Sequence, residues 1–260
     1  MKHPEVAPRS GQTRERLDKL LVDQGLVQSR ERARALIMAG QVLVDEQVAG
    51  KAGQMVTLLS NIRIKENIPF VSRGGLKLQK ALEAFCIDVQ GVTAIDVGAS
   101  TGGFTDCLLQ RGARLVYAVD VGYGQLAWNL RQDPRVVCLE KTNIRYLDPA
   151  VLTETPRLAV IDASFISLAK VLPATLPLIT PGGEIVALIK PQFEVGKGEV
   201  GKGGVVRDSA KHDAVIENIC TLAEQLQLKI IGVVESPILG PKGNKEFLIY
   251  LQKQDSEPTS

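Results

Sequence analysis

Two lysines and two carboxylates, Lys77, Asp162, Lys190 and Glu246, are the residues of this chain best placed to do chemistry. Lysine can hold an anion or take up a proton, and a nearby carboxylate can orient it. Asp162 closes the apolar run LAVID, Lys190 closes EIVALIK, and Glu246 opens EFLIYL. Lys77 lies in SRGGLKL, ahead of the first strong strand pattern. Residues 94–106 read AIDVGASTGGFTD. Here an apolar run leads into Asp96, and Gly98, Gly102 and Gly103 let the backbone turn sharply and approach a ligand closely. Phe104 to Leu109 then reads as the opening of a helix. A strand, a glycine turn and a helix N-terminus in succession cradle nucleotide-like ligands. The next apolar run, LVYAVD, ends in Asp120, close to the ~20-residue interval at which an acidic residue meets a ribose.

The elements that must carry these residues follow from the hydropathy pattern. TAIDVG, LVYAVD, RVVCLE, LAVIDA, EIVALIK, KIIGVVES and EFLIYLQ read as seven strands, with helical patterns at 104–111, 124–131, 166–177 and 209–227. This alternation predicts an open α/β sheet of Rossmann-like, doubly wound form, with ligands at the carboxyl ends of its parallel strands. The last two strands are too close in sequence for a helical crossover, so they should be antiparallel. Ahead of the sheet, residues 14–24 place Leu17, Leu20 and Leu21 on one helical face, and Gly25 ends the helix. Ser29 caps a second helix over 30–39, and QVLVDEQVA, GQMVTLL and NIRIKEN supply short strands. This gives a small α+β unit over 14–66, an α/β unit over 67–252, and disordered tails at 1–13 and 253–260.

Composition narrows the function classes. The chain has 260 residues, 45% hydrophobic and 23% charged, an ordinary globular balance with room for more than one domain. No run approaches the ~18 apolar residues of a membrane span, and the first residues lack the apolar core of a secretory signal, so a cytoplasmic protein is expected. Cys86, Cys107, Cys138 and Cys220 are scattered, and only His3 and His212 could join them. That supports neither a metal site nor a disulfide framework, and these thiols read as small buried apolar residues. Net charge is +2, divided as +3 over residues 1–70 and −1 over the remainder. In the second helix Arg30 and Arg34 share a face while Ala33, Leu36 and Ile37 point to the core, and Arg16 and Lys19 can extend the same basic surface. Such a surface would grip phosphates of a structured RNA with little base reading. Gly196–Lys202 matches G-x-x-x-x-G-K but runs on into Gly203 without Ser or Thr, so it reads as a loop near RNA and not as a P-loop.

The form D-x-G-x-x-x-G-G is similar to the S-adenosylmethionine loop of methyltransferases, and the Lys77, Asp162, Lys190, Glu246 set resembles the tetrad of FtsJ-like ribose 2′-O-methyltransferases. The front unit, with RLDKLL, Ser29-Arg30 and AGQVLV, resembles the S4 RNA-binding domain. Together with SRGGLKL, DASFISL, IKPQFE, GKGGVVRD and GNKEFL, these motifs make residues 14–252 resemble the TlyA (hemolysin A) family of rRNA methyltransferases. One departure is Gly75-Leu76 before Lys77, where many relatives carry a bulky residue. The resemblance implies S-adenosylmethionine as cofactor, held by Asp96, Gly98, Ser100, Thr101, Gly102, Gly103, Phe104, Asp120, Asn143 and Asp162. It also implies ribosomal RNA or ribosomal subunits as partners, bound through Arg16, Lys19, Arg30 and Arg34. Cytidine is the implied target, and a monomer or weak dimer the expected state. Catalysis would rest on Lys190, a buried lysine beside a second cation, Lys77, being the kind of group that can take a hydroxyl proton. Asp162 and Glu246 would orient the lysines. Phe165 would pack on the substrate ribose or in the core, and Asn143 would meet an adenine or cap a turn. A non-catalytic RNA-binding protein and a membrane-active toxin are the alternatives. The intact tetrad opposes the first, and the lack of a span or basic amphipathic helix opposes the second.

Overall fold

The computed structural model describes residues 14–38, 40–64, 69–196, 198–201 and 203–254. The chain divides into two compact units, Met1–Ile68 and Pro69–Ser260. The boundary expected after residue 66 and the tail expected at 1–13 lie outside the described residues.

In the first unit, β1 (Arg14–Arg16) leads directly into α1 (Leu17–Asp23), followed by α2 (Arg30–Met38). β2 (Val42–Val44), β3 (Gln47–Val48), β4 (Met55–Thr57) and β5 (Ile62–Ile64) complete it. β1 pairs antiparallel with β4, so the helix expected from residue 14 begins only at Leu17. The RER triplet suits either state, and the ladder to Met55–Thr57 decides it. Asp45 and Glu46 take positive φ in the tight turn between β2 and β3. Leu17, Leu20, Leu21, Ala33, Ile37, Val42, Val56 and Ile62 form the core.

The second unit opens with α3 (Gly74–Ala84) and continues β6 (Thr93–Val97), α4 (Gly103–Gln110), β7 (Leu115–Val119), α5 (Trp128–Arg131), β8 (Val136–Leu139) and β9 (Leu158–Ile161). Then come α6 (Leu168–Thr175), β10 (Glu184–Ile189), α7 (Pro191–Glu194), α8 (Ser209–Gln225), β11 (Leu228–Glu235) and β12 (Phe247–Lys253). The seven strands lie in the order β11-β12-β10-β9-β6-β7-β8. β12 runs antiparallel to both neighbours, and the other pairings are parallel. Lys253, expected to begin a tail, ends β12 and donates to the carbonyls of Leu176 and Ile179. Helices cover both faces, so the central strands are largely apolar, with Asp96 of β6 a buried exception. One core layer lies against α3 and α4, the other against α6 and α8. All four cysteines are free. Only Cys107 is buried, Cys138 and Cys220 are half-buried, and Cys86 is exposed, so three of them are not the sealed apolar residues expected.

The chain leaves β6 towards β7 and β8 on one side, and returns to β9 and β10 on the other. β6 and β9 are therefore the switch point of the sheet, where a crevice opens beyond the carboxyl ends. Val97 pairs with Ile161 there, which brings the glycine turn after β6 against Asp162.

Candidate active site

Two cavities meet at this switch point. One, of about 460 Å³, is lined by Lys77, Asp162, Ser164 and Lys190, by the turn from Gly98 to Thr101 with Gly103 and Phe104, and by Ile238 to Pro241. The other, of about 540 Å³, is lined by Asp120, Gln125, Thr142, Asn143, Ile144 and Phe165 among others. Gly98, Ser100, Asp162 and Ser164 border both.

The glycine turn is built for close approach. Gly98 has φ +87°, and a Cβ there would stand 2.8 Å from the Asp162 carbonyl oxygen. Gly102, at φ +97°, caps α4, and a Cβ would meet Leu130 Cδ1 at 2.3 Å. Asp96 lies beneath the turn. Its Oδ2 accepts from Thr105 N at 2.9 Å and Thr105 Oγ1 at 2.7 Å, while Oδ1 is buried without a partner. Asp96 therefore holds the first turn of α4 and lines neither cavity. Burial pushes its carboxyl up to about 7, Thr105 opposes this, and the Asp162 charge adds to it.

The expected cofactor set is divided between the two cavities. Thr101, Gly103 and Phe104 face the lysine side, Asp120 and Asn143 the other, and Gly102 lines neither. Asp120 accepts from Ser100 N at 2.8 Å and Gly122 N at 2.7 Å, so its carboxylate is fixed at the end of β7. Asn143 caps a 3₁₀ turn, with Oδ1 accepting from Arg145 N at 3.1 Å, so both roles read for it, turn cap and cavity wall, are geometrically open. A fixed carboxylate, an amide, the apolar Val119 and Ile144, and a backbone turn without side chains fit a nucleoside-bearing ligand.

The four ionisable residues form two pairs. Lys190 Nζ forms an ion pair with Asp162 Oδ1 at 2.5 Å and donates to Ser164 Oγ at 2.7 Å. Lys77 Nζ donates to Glu246 Oε2 at 2.6 Å. Both lysines and Glu246 are buried, so each cation keeps a carboxylate that offsets the cost of leaving water. Each lysine thus has its own counter-charge, a pairing the sequence left open. Lys190 also lines the cavity, where a ligand can reach its side chain.

Polar side chains, buried or half-buried, stitch the sequence motifs together. Asp106, in α4, accepts from Val71 N at 2.7 Å, tying the glycine-loop helix to the segment before Lys77. Glu194, in α7, accepts from Leu168 N and Ser167 Oγ, joining IKPQFE to DASFISL, and burial raises its carboxyl. Asn244 accepts from Val206 N at 3.0 Å and donates to the carbonyls of Gly204 and Pro241, binding the Gly/Lys-rich loop to the segment that carries Glu246. Lys197 and Lys202 of that loop lie outside the described residues. Phe165 is 90% exposed, with φ +63°, and packs against Phe193 at 5.1 Å between centroids, so it is not core. Ser164 was legible only as a polar residue within DASFISL, and Ser72 and Arg73 only as polar residues beside Lys77. The Ile238–Pro241 lip carries no sequence signal.

In the first unit Arg16, Arg30 and Arg34 converge on Asp18. Lys19 does not join them: it bonds Glu15 at 2.6 Å and approaches Asp23 at 3.7 Å along α1. Among the described residues no helix is long and apolar enough to cross a membrane.

A mostly parallel seven-stranded sheet with its last strand inserted antiparallel, and a glycine turn at the switch point, is the architecture of the α/β methyltransferases. Comparisons with known proteins agree. Residues 70–253 match the FtsJ-like methyltransferase family, and residues 15–58 match the S4 domain. The chain is 48% identical over 250 residues to the 16S/23S rRNA (cytidine-2′-O)-methyltransferase TlyA of Mycobacterium tuberculosis, covering 95% of this chain and 93% of that one. It is 40% identical over 236 residues to hemolysin A of Brachyspira hyodysenteriae, covering 90% and 98%. A solved protein from Streptococcus thermophilus, described as a candidate hemolysin, superposes with a TM-score of 0.74 at 46% identity, over 95% of this chain and 90% of that one. The chain belongs to the FtsJ-like methyltransferase family, in the branch that joins an S4 domain to the catalytic fold and includes TlyA and hemolysin A.

Proposed function

We propose that this protein is an S-adenosylmethionine-dependent methyltransferase acting on the ribose 2′-hydroxyl of ribosomal RNA, with cytidine as the target nucleoside. The carrying observation is the pair of cavities with a common wall, one presenting Lys190–Asp162 and Lys77–Glu246, the other Asp120. Asp120 would accept from the cofactor ribose hydroxyls, and Gly98 to Thr101 would pass close to its amino-acid arm. When bound, S-adenosylmethionine supplies an electrophilic methyl group and departs as a neutral thioether. Lys190, as its neutral amine, would accept the proton of the RNA 2′-hydroxyl as the new O–C bond forms, becoming an ammonium. Asp162 would balance the charge on Lys190, and Lys77, fixed by Glu246, would orient the ribose. Holding nucleophile and donor in line supplies much of the rate. Phe165, exposed beside the second cavity, would pack on the substrate sugar.

The S4 unit would deliver the RNA through its arginines, and an rRNA-modifying role would put the protein with ribosomes in the cytoplasm. The test is a map of 2′-O-methylation on ribosomal RNA from cells with and without the protein, and on purified subunits incubated with it and labelled S-adenosylmethionine. A protein-dependent methylcytidine is expected. Label on a base, or no label on any RNA, would overturn the reading.

A further inference from the structure

The first unit holds a sealed carboxylate beneath three half-open cations. Asp18 lies in the first turn of α1 with its side chain 0% exposed. It accepts from Arg16 Nε at 3.0 Å and Nη2 at 3.1 Å, from Arg30 Nη2 at 2.8 Å, and from Arg34 Nε at 3.2 Å. The three arginine side chains are 43%, 48% and 52% exposed, respectively. They come from separate places: Arg16 from the end of β1, Arg30 and Arg34 from successive turns of α2. Asp18 is thus the point where the two parts of the basic surface are fixed to each other. The hydrogen bond from Arg16, then those from Arg30 and Arg34, hold its carboxyl well below the usual carboxylate range, although burial acts the other way. The group stays ionised throughout the working pH range.

We propose that Asp18 is the positioning residue of the RNA-binding surface, presetting Arg16, Arg30 and Arg34 as one cradle for the phosphate oxygens of a structured RNA. The proposal rests on the S4 unit binding RNA. A guanidinium can bond a carboxylate with some of its donors and a phosphate with the others, which a lysine ammonium does less well. Three cations brought together without an anion among them repel, and long surface side chains then spread into water. One buried negative charge against three positive ones holds them together and leaves a net positive surface. The arginines are ordered on folding, so RNA binding does not have to order them again.

Asp18→Asn separates this account from simple charge attraction. The substitution makes the unit more positive by one charge, so attraction alone predicts tighter RNA binding. Loss of the preset cradle predicts weaker binding, by tenfold or more, with a shallower dependence on salt because fewer phosphates are neutralised. Affinity for purified ribosomal RNA is measured by filter binding from low to high salt. S-adenosylmethionine affinity and the thermal melt of the same preparation report on the fold. In an Arg16→Ala/Arg30→Ala/Arg34→Ala background, Asp18→Asn should cost no further affinity, because its partners are gone. Should Asp18→Asn fail to fold, the charge-conserving Arg16→Lys/Arg30→Lys/Arg34→Lys variant is measured instead, and a loss of affinity at equal charge is expected. Equal or tighter binding by Asp18→Asn, or undiminished binding by the lysine variant, overturns the proposal. If the wild-type protein itself does not bind ribosomal RNA, the RNA-binding reading fails instead.

Discussion

Lys77 and Glu246, separated by 169 positions in sequence, form a 2.6 Å ion pair in the interior, with side chains 9% and 0% exposed. The bond joins α3, which precedes the sheet, to the loop entering the last strand. Removing one partner of a buried pair strands the other charge, at a cost of about 3–5 kcal/mol. Glu246→Gln should therefore destabilise the second unit by that amount as well as lower activity. Replacing both residues, as Lys77→Met with Glu246→Leu, should cost less stability than the single change while abolishing activity. Urea unfolding of the three proteins decides this. A double variant less stable than Glu246→Gln would show that the pair itself stabilises the fold.

Lys190→Ala should abolish methyl transfer and leave cofactor affinity nearly intact. Loss of proton transfer alone costs ~10²–10⁴-fold. Lys190→Arg should fail almost as badly, because a guanidinium stays protonated and cannot accept the hydroxyl proton. Single-turnover methylation with tritiated cofactor measures both. A near-normal rate for the arginine variant would make Lys190 an electrostatic clamp only.

Asp120→Ala should weaken S-adenosylmethionine binding by roughly 1.5–3 kcal/mol, the range for hydrogen bonds to a charged group. Calorimetry is the measurement. Equal affinity would remove Asp120 from the cofactor site.

Asp96 should make stability depend on pH. Its carboxyl is pushed up to about 7 in the fold, against ~3.9 for an unfolded aspartate, so the folded chain binds more protons between those values. Its contribution is fully present below the unfolded value and is lost as pH rises through about 7. Asp96→Asn cannot ionise. The wild-type melting temperature should therefore fall relative to the variant between pH 5 and pH 8. A constant difference between the two melting curves would show that Asp96 does not titrate in this range.

Much of the second unit was legible because its strands are apolar runs that end in polar residues. That pattern placed Asp162 and Lys190 at strand ends and Glu246 at the edge they share. The pairing of the lysines was not legible. It depends on β12 inserting between β10 and β11, so that Phe247 meets Ile189 and Glu246 arrives beside α3. The direction of Asp96 was not legible, because a motif names a residue without its direction. In β6 the pleat sends Asp96 to the α4 side, with Ala94, while Ile95 and Val97 face the other layer. Arg14–Arg16 looked helical because three charged residues carry no period of their own, and a partner strand forty residues away settled the matter.

Gly98, Ser100, Asp162 and Ser164 border both cavities, so the wall between them is thin and made largely of backbone and short side chains. An inhibitor need not choose one side. A nucleoside and a thioether-bearing fragment, each weak alone, could be joined by a linker of a few atoms passing that wall. The second fragment would then bind at the high effective concentration set by the first. Such a two-armed compound would gain selectivity from geometry, since a methyltransferase whose donor and acceptor pockets stand farther apart could seat only one arm at a time.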